Sequence, residues 1–193
     1  MNIYVGGVNG VGKSTILRRA TQIDKRLEVI HFASGIMQQL GLAPGSYDQL
    51  RDAPQPAKDV ATSELVESLV SRRTHQIRLV DSHYMYLIEG KTYPSTRDWI
   101  AKFDALVLVT ANSGVIWKRI QADEALRDRD LFSANDKLDN EHRELANSIT
   151  DNQREFEDLV KRYHKDHFIL THNDDDVDRA ARKLINFIDT VQA

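Results

Sequence analysis

The chain has 193 residues, 41% hydrophobic and 28% charged, which fits one compact soluble domain better than two domains or a disordered tail. Lysine and arginine number 26 against 29 aspartates and glutamates, a formal charge of −3, so the basic excess of a dedicated nucleic-acid binder is absent. Cysteine is also absent, which excludes disulfides, thiolate zinc sites and a cysteine nucleophile.

The apolar stretches around 77–80, broken by Arg78, and at 105–109 are far shorter than the roughly 20 residues a membrane helix needs, and they read as buried strands. The Met1-Asn2-Ile3 start lacks a basic segment followed by an apolar signal core, so a cytoplasmic location is expected. In chain order, Ile3-Tyr4-Val5 reads as a strand entering a glycine-rich turn, followed by a helix from Ser14 to about Asp24. Leu27 to His31 is the next strand, and Ser34 is placed to cap a short helix that Gly41 stops. The proline-bearing segment 41–56 reads as a loop. A helix from about Ala57 to Arg72 follows, with Ala61, Leu65 and Leu69 repeating at four-residue spacing.

Ile77 to Asp81 is a third strand that ends on a carboxylate, and Ala105 to Thr110 is an almost uniformly apolar fourth. Trp99 and Phe103 lie on an intervening helix and read as core. Asn112 or Ser113 is positioned to cap a helix reaching about Gln121, beyond which 123–130 is dense in charge. A long helix from roughly Asn135 to Arg162 precedes the fifth strand, Phe168 to Thr171. The Asp174-Asp175-Asp176 run suits a negatively charged helix start, and Val177, Ala181, Leu184, Ile188 and Val191 form one stripe of that terminal helix. Strands alternating with helices predict an α/β fold, a five-stranded parallel sheet with helices on both faces.

Gly7-Val8-Asn9-Gly10-Val11-Gly12-Lys13-Ser14 matches the pattern G-x-x-x-x-G-K-[ST], after a strand and before a helix as its mechanism requires. The glycines let consecutive backbone amides converge on phosphate oxygens, and the following helix aims its unpaired N–H groups and positive dipole end at the same charge. Lys13 is expected to bridge the β- and γ-phosphates and Ser14 to ligate magnesium, with Thr15 next to it in the first turn. Asp81, at the end of an apolar strand, is the expected partner that holds magnesium through water, the rest of the ion's shell being water and phosphate.

These residues resemble the archaeal-type adenylate kinases, compact P-loop nucleoside-monophosphate kinases, over nearly the whole chain. His31-Phe32-Ala33-Ser34-Gly35-Ile36-Met37 resembles the segment that meets the acceptor monophosphate, and Asp48-Gln49-Leu50-Arg51 resembles the one whose arginine grips it. Val80-Asp81-Ser82-His83 is similar to the family's Val-Asp-Thr-His stretch, and Gly90 to Pro94 also has a counterpart. Trp117-Lys118-Arg119-Ile120 resembles the helix with a basic residue beside the donor adenine. Arg127-Asp128-Arg129-Asp130 resembles the lid arginines, and His172-Asn173 lies where the family's backbone reads the donor base. Asn9 stands where many relatives have proline, and Asn147 where a further lid-side arginine is expected.

The resemblance implies a three-layer P-loop NTPase-type fold and reversible phosphate transfer between Mg-ATP and AMP. It implies catalytic roles for Lys13, Arg51, Arg119, Arg127 and Arg129. ATP contacts are expected from Gly7, Asn9, Gly10, Val11, Gly12, Lys13, Ser14, Thr15, Arg119, His172 and Asn173. Acceptor contacts are expected from Ser34, Arg51, His83 and Tyr84, and metal contacts from Ser14 and Asp81. The acceptor region then spans about 34–72 and a lid about 123–134. The residues leave two alternatives open: the same fold acting on another nucleotide or a small hydroxyl metabolite, and a nucleotide-dependent switch ATPase.

Overall fold

The computed structural model describes residues 1–72, 76–88, 90–95, 98–124, 138–174 and 176–192. Its centre is a five-stranded sheet in the order β2-β3-β1-β6-β7, formed by β1 (Asn2–Gly6), β2 (Leu27–His31), β3 (Ile77–Asp81), β6 (Ala105–Thr110) and β7 (Asp166–Thr171). Every pairing in it is parallel. Successive strand residues point to opposite faces, so alternate side chains feed two separate apolar layers. Ile3 and Val5, Leu79, and Ala105, Val107 and Val109 face one layer. Tyr4, Val80, Leu106 and Leu108 face the other.

The first layer is closed by α1 (Lys13–Ile23) and α7 (Val177–Gln192), through Ile16, Leu17 and Ala20 on the one and Ala181, Leu184 and Ile188 on the other. Side chains of α5 (Ser113–Glu124), Ile116, Trp117 and Ile120, complete it. The opposite layer receives Phe32 and Ile36 from α2 (Phe32–Gln39), and Ala61, Leu65, Val66 and Leu69 from α4 (Gln55–Ser71). Phe156 and Leu159 of the long α6 (Leu138–Tyr163) join them, with Ile100 of a short 3-10 turn, Asp98–Lys102, and Phe103 just beyond it. The α/β architecture and the five parallel strands expected from the apolar runs are therefore present, with helices on both faces. Among the described residues no helix is long and apolar enough to cross a membrane.

Four local features depart from the sequence expectation. The first is the start of α2, at Phe32 with His31 in the cap position rather than at Ser34, because Phe32 is drawn into the core at 2% exposure. Within the expected loop 41–56 lies α3 (Tyr47–Asp52), a six-residue helix with no buried side chain. Trp99 and Phe103 belong to a single 3-10 turn and its exit rather than to a longer helix. Finally, β4 (Met85–Ile88) and β5 (Lys91–Pro94) form an antiparallel hairpin that periodicity did not signal. Gly90, at φ 73°, serves its two-residue connection. The hairpin is pinned to α6: the Asn152 amide accepts from the Met85 N–H at 3.1 Å and donates to the Met85 carbonyl at 3.3 Å, and the Thr92 hydroxyl donates to Asp151 at 2.6 Å. The terminal helix starts as the acidic run suggested, with Asp176 Oδ1 accepting the Arg179 N–H at 2.9 Å.

Candidate phosphate-binding site

The parallel sheet brings the carboxyl ends of β1, β2 and β3 to one edge, and the chain reverses its direction of strand addition at β1, the usual place for a ligand crevice in such sheets. The loop leaving β1 carries positive φ at Gly7 (148°), Gly10 (77°) and Gly12 (97°). A Cβ on Gly7 would lie 2.3 Å from the Val109 carbonyl oxygen, and one on Gly10 would lie 2.5 Å from Ile120 Cγ1. Glycine is therefore required at both positions by backbone conformation and by the close approach of β6 and α5. Gly12 occupies the cap position of α1 in the left-handed region and supplies no side-chain cap. The start of α1, above a glycine-shaped concavity, thus has the geometry that suits an anion.

Lys13 is buried, at 6% exposure, with Nζ donating to the Gly7 carbonyl at 2.8 Å and reaching the Val8 carbonyl at 3.5 Å. The Ser14 hydroxyl donates to Asp81 Oδ2 at 2.9 Å, so the two expected metal contacts are adjacent. The same carboxylate oxygen lies 3.4 Å from His31 Nδ1. These are hard oxygen donors at the mouth of a glycine cradle, a set that suits magnesium bound with phosphate and water. Asn9 is half-buried in the loop and Thr15 is exposed in the first turn of α1.

Arg119 and the segment after β7 form the flank of this site. The Arg119 guanidinium donates to the carbonyls of Val11 at 3.1 Å, His172 at 3.2 Å and Asp174 at 3.0 Å. It ties the phosphate loop to the 172–174 segment. Asn173 Oδ1 accepts the Asn112 N–H at 2.7 Å, and His172 is buried, its ring 3.2 Å from where a Gly12 Cβ would stand. The Arg119 and Asn173 side chains, expected beside the donor nucleotide, thus join loops here.

His83 is held at the other side of the loop, with Nδ1 2.7 Å from the Gly7 carbonyl oxygen. Its own carbonyl accepts the Tyr4 hydroxyl at 2.5 Å and the Ser95 hydroxyl. Burial pushes the Tyr4 phenol far above its ordinary value, so it remains an O–H donor throughout the working pH range.

The acceptor side differs. Ser34 is exposed on α2, and Arg51 is exposed on α3, where its guanidinium pairs with Asp48. Tyr84 corrects the expectation of an acceptor contact: it is fully buried, its ring lies against Gly6, and its hydroxyl donates to the Val107 carbonyl at 3.1 Å. A tyrosine spent on the core in this way has no surface to offer a ligand. Arg127, Arg129 and nearly all of the expected lid lie outside the described residues. Sequence reasoning passed over the contact between His31 and Asp81. The available signal was that both residues end adjacent parallel strands, and they are register partners in the β2–β3 ladder.

No protein-family model matches the chain, and no curated protein sequence matches it. Solved structures do. A shikimate kinase from Acinetobacter baumannii, in complex with shikimate, superposes with a TM-score of 0.64 at 15% identity, covering 98% of this chain and 93% of that one. A shikimate kinase from Bacteroides thetaiotaomicron gives 0.65 at 11% identity, with 98% of each chain covered. A gluconokinase from Sinorhizobium meliloti gives 0.58 at 14% identity, covering 98% and 92%. Together with the strand order and the loop after β1, these likenesses define the fold as the P-loop kinase type, nucleoside-monophosphate-kinase-like in its five-stranded parallel sheet.

Proposed function

We propose that the protein is an ATP-dependent phosphotransferase that seats Mg-ATP at Gly7–Ser14 and passes its terminal phosphoryl group to a small acceptor. The observation that carries this reading is the coincidence of a glycine cradle, a buried Lys13 and a Ser14–Asp81 contact at one sheet edge. Phosphoryl transfer asks mainly for in-line positioning and for neutralisation of charge spread over the moving group. Loop amides and the start of α1 would hold the donor's phosphates, and Lys13 would turn from its loop carbonyls to them. Ser14 and Asp81 would hold magnesium, which supplies positive charge beside the transferred group. Arg119 would keep the loop and the 172–174 segment in register for the donor nucleoside. Arg127 and Arg129, from the charged stretch 123–134, would add positive charge at the same reaction centre.

For the acceptor, we favour a small hydroxyl-bearing metabolite over AMP. Solved structures similar to this chain are described as shikimate kinase and gluconokinase, and Tyr84, one of the residues expected to contact AMP, is locked in the core. In this reading the stretch 34–72 carries the acceptor contacts, with Ser34 and Arg51 as the candidates. The acceptor hydroxyl attacks the γ-phosphorus and gives up its proton to water, while the bond from the γ-phosphorus to the oxygen bridging to the β-phosphate breaks to release ADP.

The test is to incubate the purified protein with Mg-ATP and a panel of hydroxy acids, sugar acids and nucleoside monophosphates, following both ADP and the phosphorylated acceptor. A phosphorylated hydroxy compound supports the proposal. Two ADP formed from AMP would restore the nucleotide acceptor, and free phosphate with no phosphorylated acceptor would make the protein a nucleotide-hydrolysing switch.

A further inference from the structure

We propose that His83 is a positioning residue for nucleotide binding: it keeps hold of the Gly7 carbonyl so that Lys13 can leave it for phosphate. The inference rests on the triphosphate seat argued above and adds a handover to it. The Gly7 carbonyl oxygen receives two donors, Lys13 Nζ at 2.8 Å and His83 Nδ1 at 2.7 Å. A carbonyl has two lone pairs and no proton, so these two bonds fill it, and the imidazole proton must sit on Nδ1.

Gly7 is buried, and its conformation leaves no slack, with φ at 148° and the Val109 carbonyl oxygen 2.3 Å from where a Cβ would stand. A buried carbonyl deprived of every donor is costly, and relaxing toward water would pull the loop out of shape. If Lys13 were the lone donor, its turn toward a phosphate would create that orphan at the moment of binding. With His83 in place the carbonyl stays satisfied. Because the peptide unit is planar, fixing the Gly7 carbonyl also fixes the direction of the Val8 N–H.

His83 is itself held in position. Its carbonyl accepts from Tyr4 and Ser95, and its ring lies 5.3 Å from that of Tyr86, so imidazole and backbone are anchored from separate elements. Tyr4 comes from β1, the strand that delivers Gly7, and Ser95 follows β5. The hairpin between His83 and Ser95 therefore returns to brace the residue that braces the loop.

A four-protein cycle tests the handover: wild type, His83→Ala, Lys13→Met and the double variant, each titrated calorimetrically with Mg-ATP in the absence of acceptor. With Lys13 present, His83→Ala should weaken ATP binding by roughly tenfold, the scale of one buried carbonyl losing its partner on binding. His83→Asn, which restores an N–H donor, should recover most of that loss, and His83→Phe, which keeps the ring but not the donor, should not. In the Lys13→Met background no lysine departs on binding, so His83→Ala should change affinity less than about twofold.

Thermal unfolding without ligand gives a second, nucleotide-independent reading. His83→Ala should lower the midpoint little while Lys13 still donates to Gly7, and markedly more in Lys13→Met. Equal effects of His83→Ala in both backgrounds, in affinity or in ligand-free stability, would make His83 an ordinary scaffold residue and overturn the proposal. Wild-type protein that binds no triphosphate would sink the site reading instead, while the ligand-free cycle would still judge whether His83 and Lys13 share the Gly7 carbonyl.

Discussion

Around the loop after β1, the groups brought together are backbone amides, the buried Lys13 and the exposed Ser14 hydroxyl, drawn from eight consecutive residues. The stretch assigned to the acceptor, 34–72, offers exposed side chains on separate helices, Ser34 on α2 and Arg51 on α3. On the donor side, geometry is enforced by packing: Gly7 is squeezed against β6, Gly10 against α5, and Arg119 binds the loop to the segment after β7. In the 34–72 stretch the exposed Arg51 pairs with the exposed Asp48, an ion pair of the kind that contributes little to stability. The contrast is between a loop shaped by its packed neighbours and a surface whose side chains face solvent.

The largest effect that would sharpen this contrast is expected at Lys13. Lys13→Ala should lower turnover by roughly 100- to 1,000-fold, as for loss of one preorganised donor to a developing charge, with the fold retained because Gly7 keeps His83. Product formation and circular dichroism read the two parts. Next, Arg51→Ala should reduce kcat/KM for the acceptor by roughly ten- to hundredfold while leaving Mg-ATP affinity and the unfolding midpoint near wild type. An Arg51 variant with unchanged acceptor kinetics would take that helix out of the site.

Glycines separate shape from mere turn-making. Gly7→Ala should cost about 1–3 kcal/mol of stability and weaken nucleotide binding, since its Cβ meets a backbone carbonyl. Gly45→Ala, also at positive φ but with nothing within 4 Å of its Cβ, should cost at most about 1 kcal/mol and leave binding unchanged. Equal binding losses in urea-calibrated samples would break the claim that the cradle is enforced by its neighbours.

Tyr84→Phe gives a smaller effect, about 1 kcal/mol, from the Val107 carbonyl losing its donor, with acceptor kinetics untouched. The smallest is a pH effect. Burial raises the phenols of Tyr4, Tyr84 and Tyr86 above their ordinary value, so they stay neutral in the folded protein while the unfolded chain ionises near pH 10. Stability should therefore be full below about pH 10 and fall as pH rises beyond it, and Tyr84→Phe should make that fall less steep.

The sequence revealed what is local in the chain. Gly7 to Ser14 is one contiguous pattern whose flanking strand and helix are equally local, and Asp81 marks itself by closing an apolar run. The central strands β1, β3 and β6 were readable because parallel strands covered on both faces need nearly unbroken apolar side chains, whereas the edge strands β2 and β7 are mostly half-buried or exposed and carry shorter apolar runs. The β4–β5 hairpin was not readable: Met85 to Ile88 lacks alternation, Lys91 to Pro94 ends in proline, and both are held by Asn152 and Asp151 from α6, some sixty residues away. Tyr84 shows the same limit at a single position. An aromatic residue just past a strand is more often packing than pocket lining, and the surroundings that decide it here are shaped by Gly6 and Val107, distant in sequence. The two donors on the Gly7 carbonyl are likewise a property of the folded chain, since Lys13 and His83 lie seventy residues apart.

The most direct measurement is a calorimetric titration of natively folded wild type and Lys13→Ala with Mg-ATP. The account predicts saturable one-site binding by the wild type and a large loss of affinity in the variant. Absence of heat with any purine nucleoside triphosphate, or equal affinity in both proteins, would contradict it.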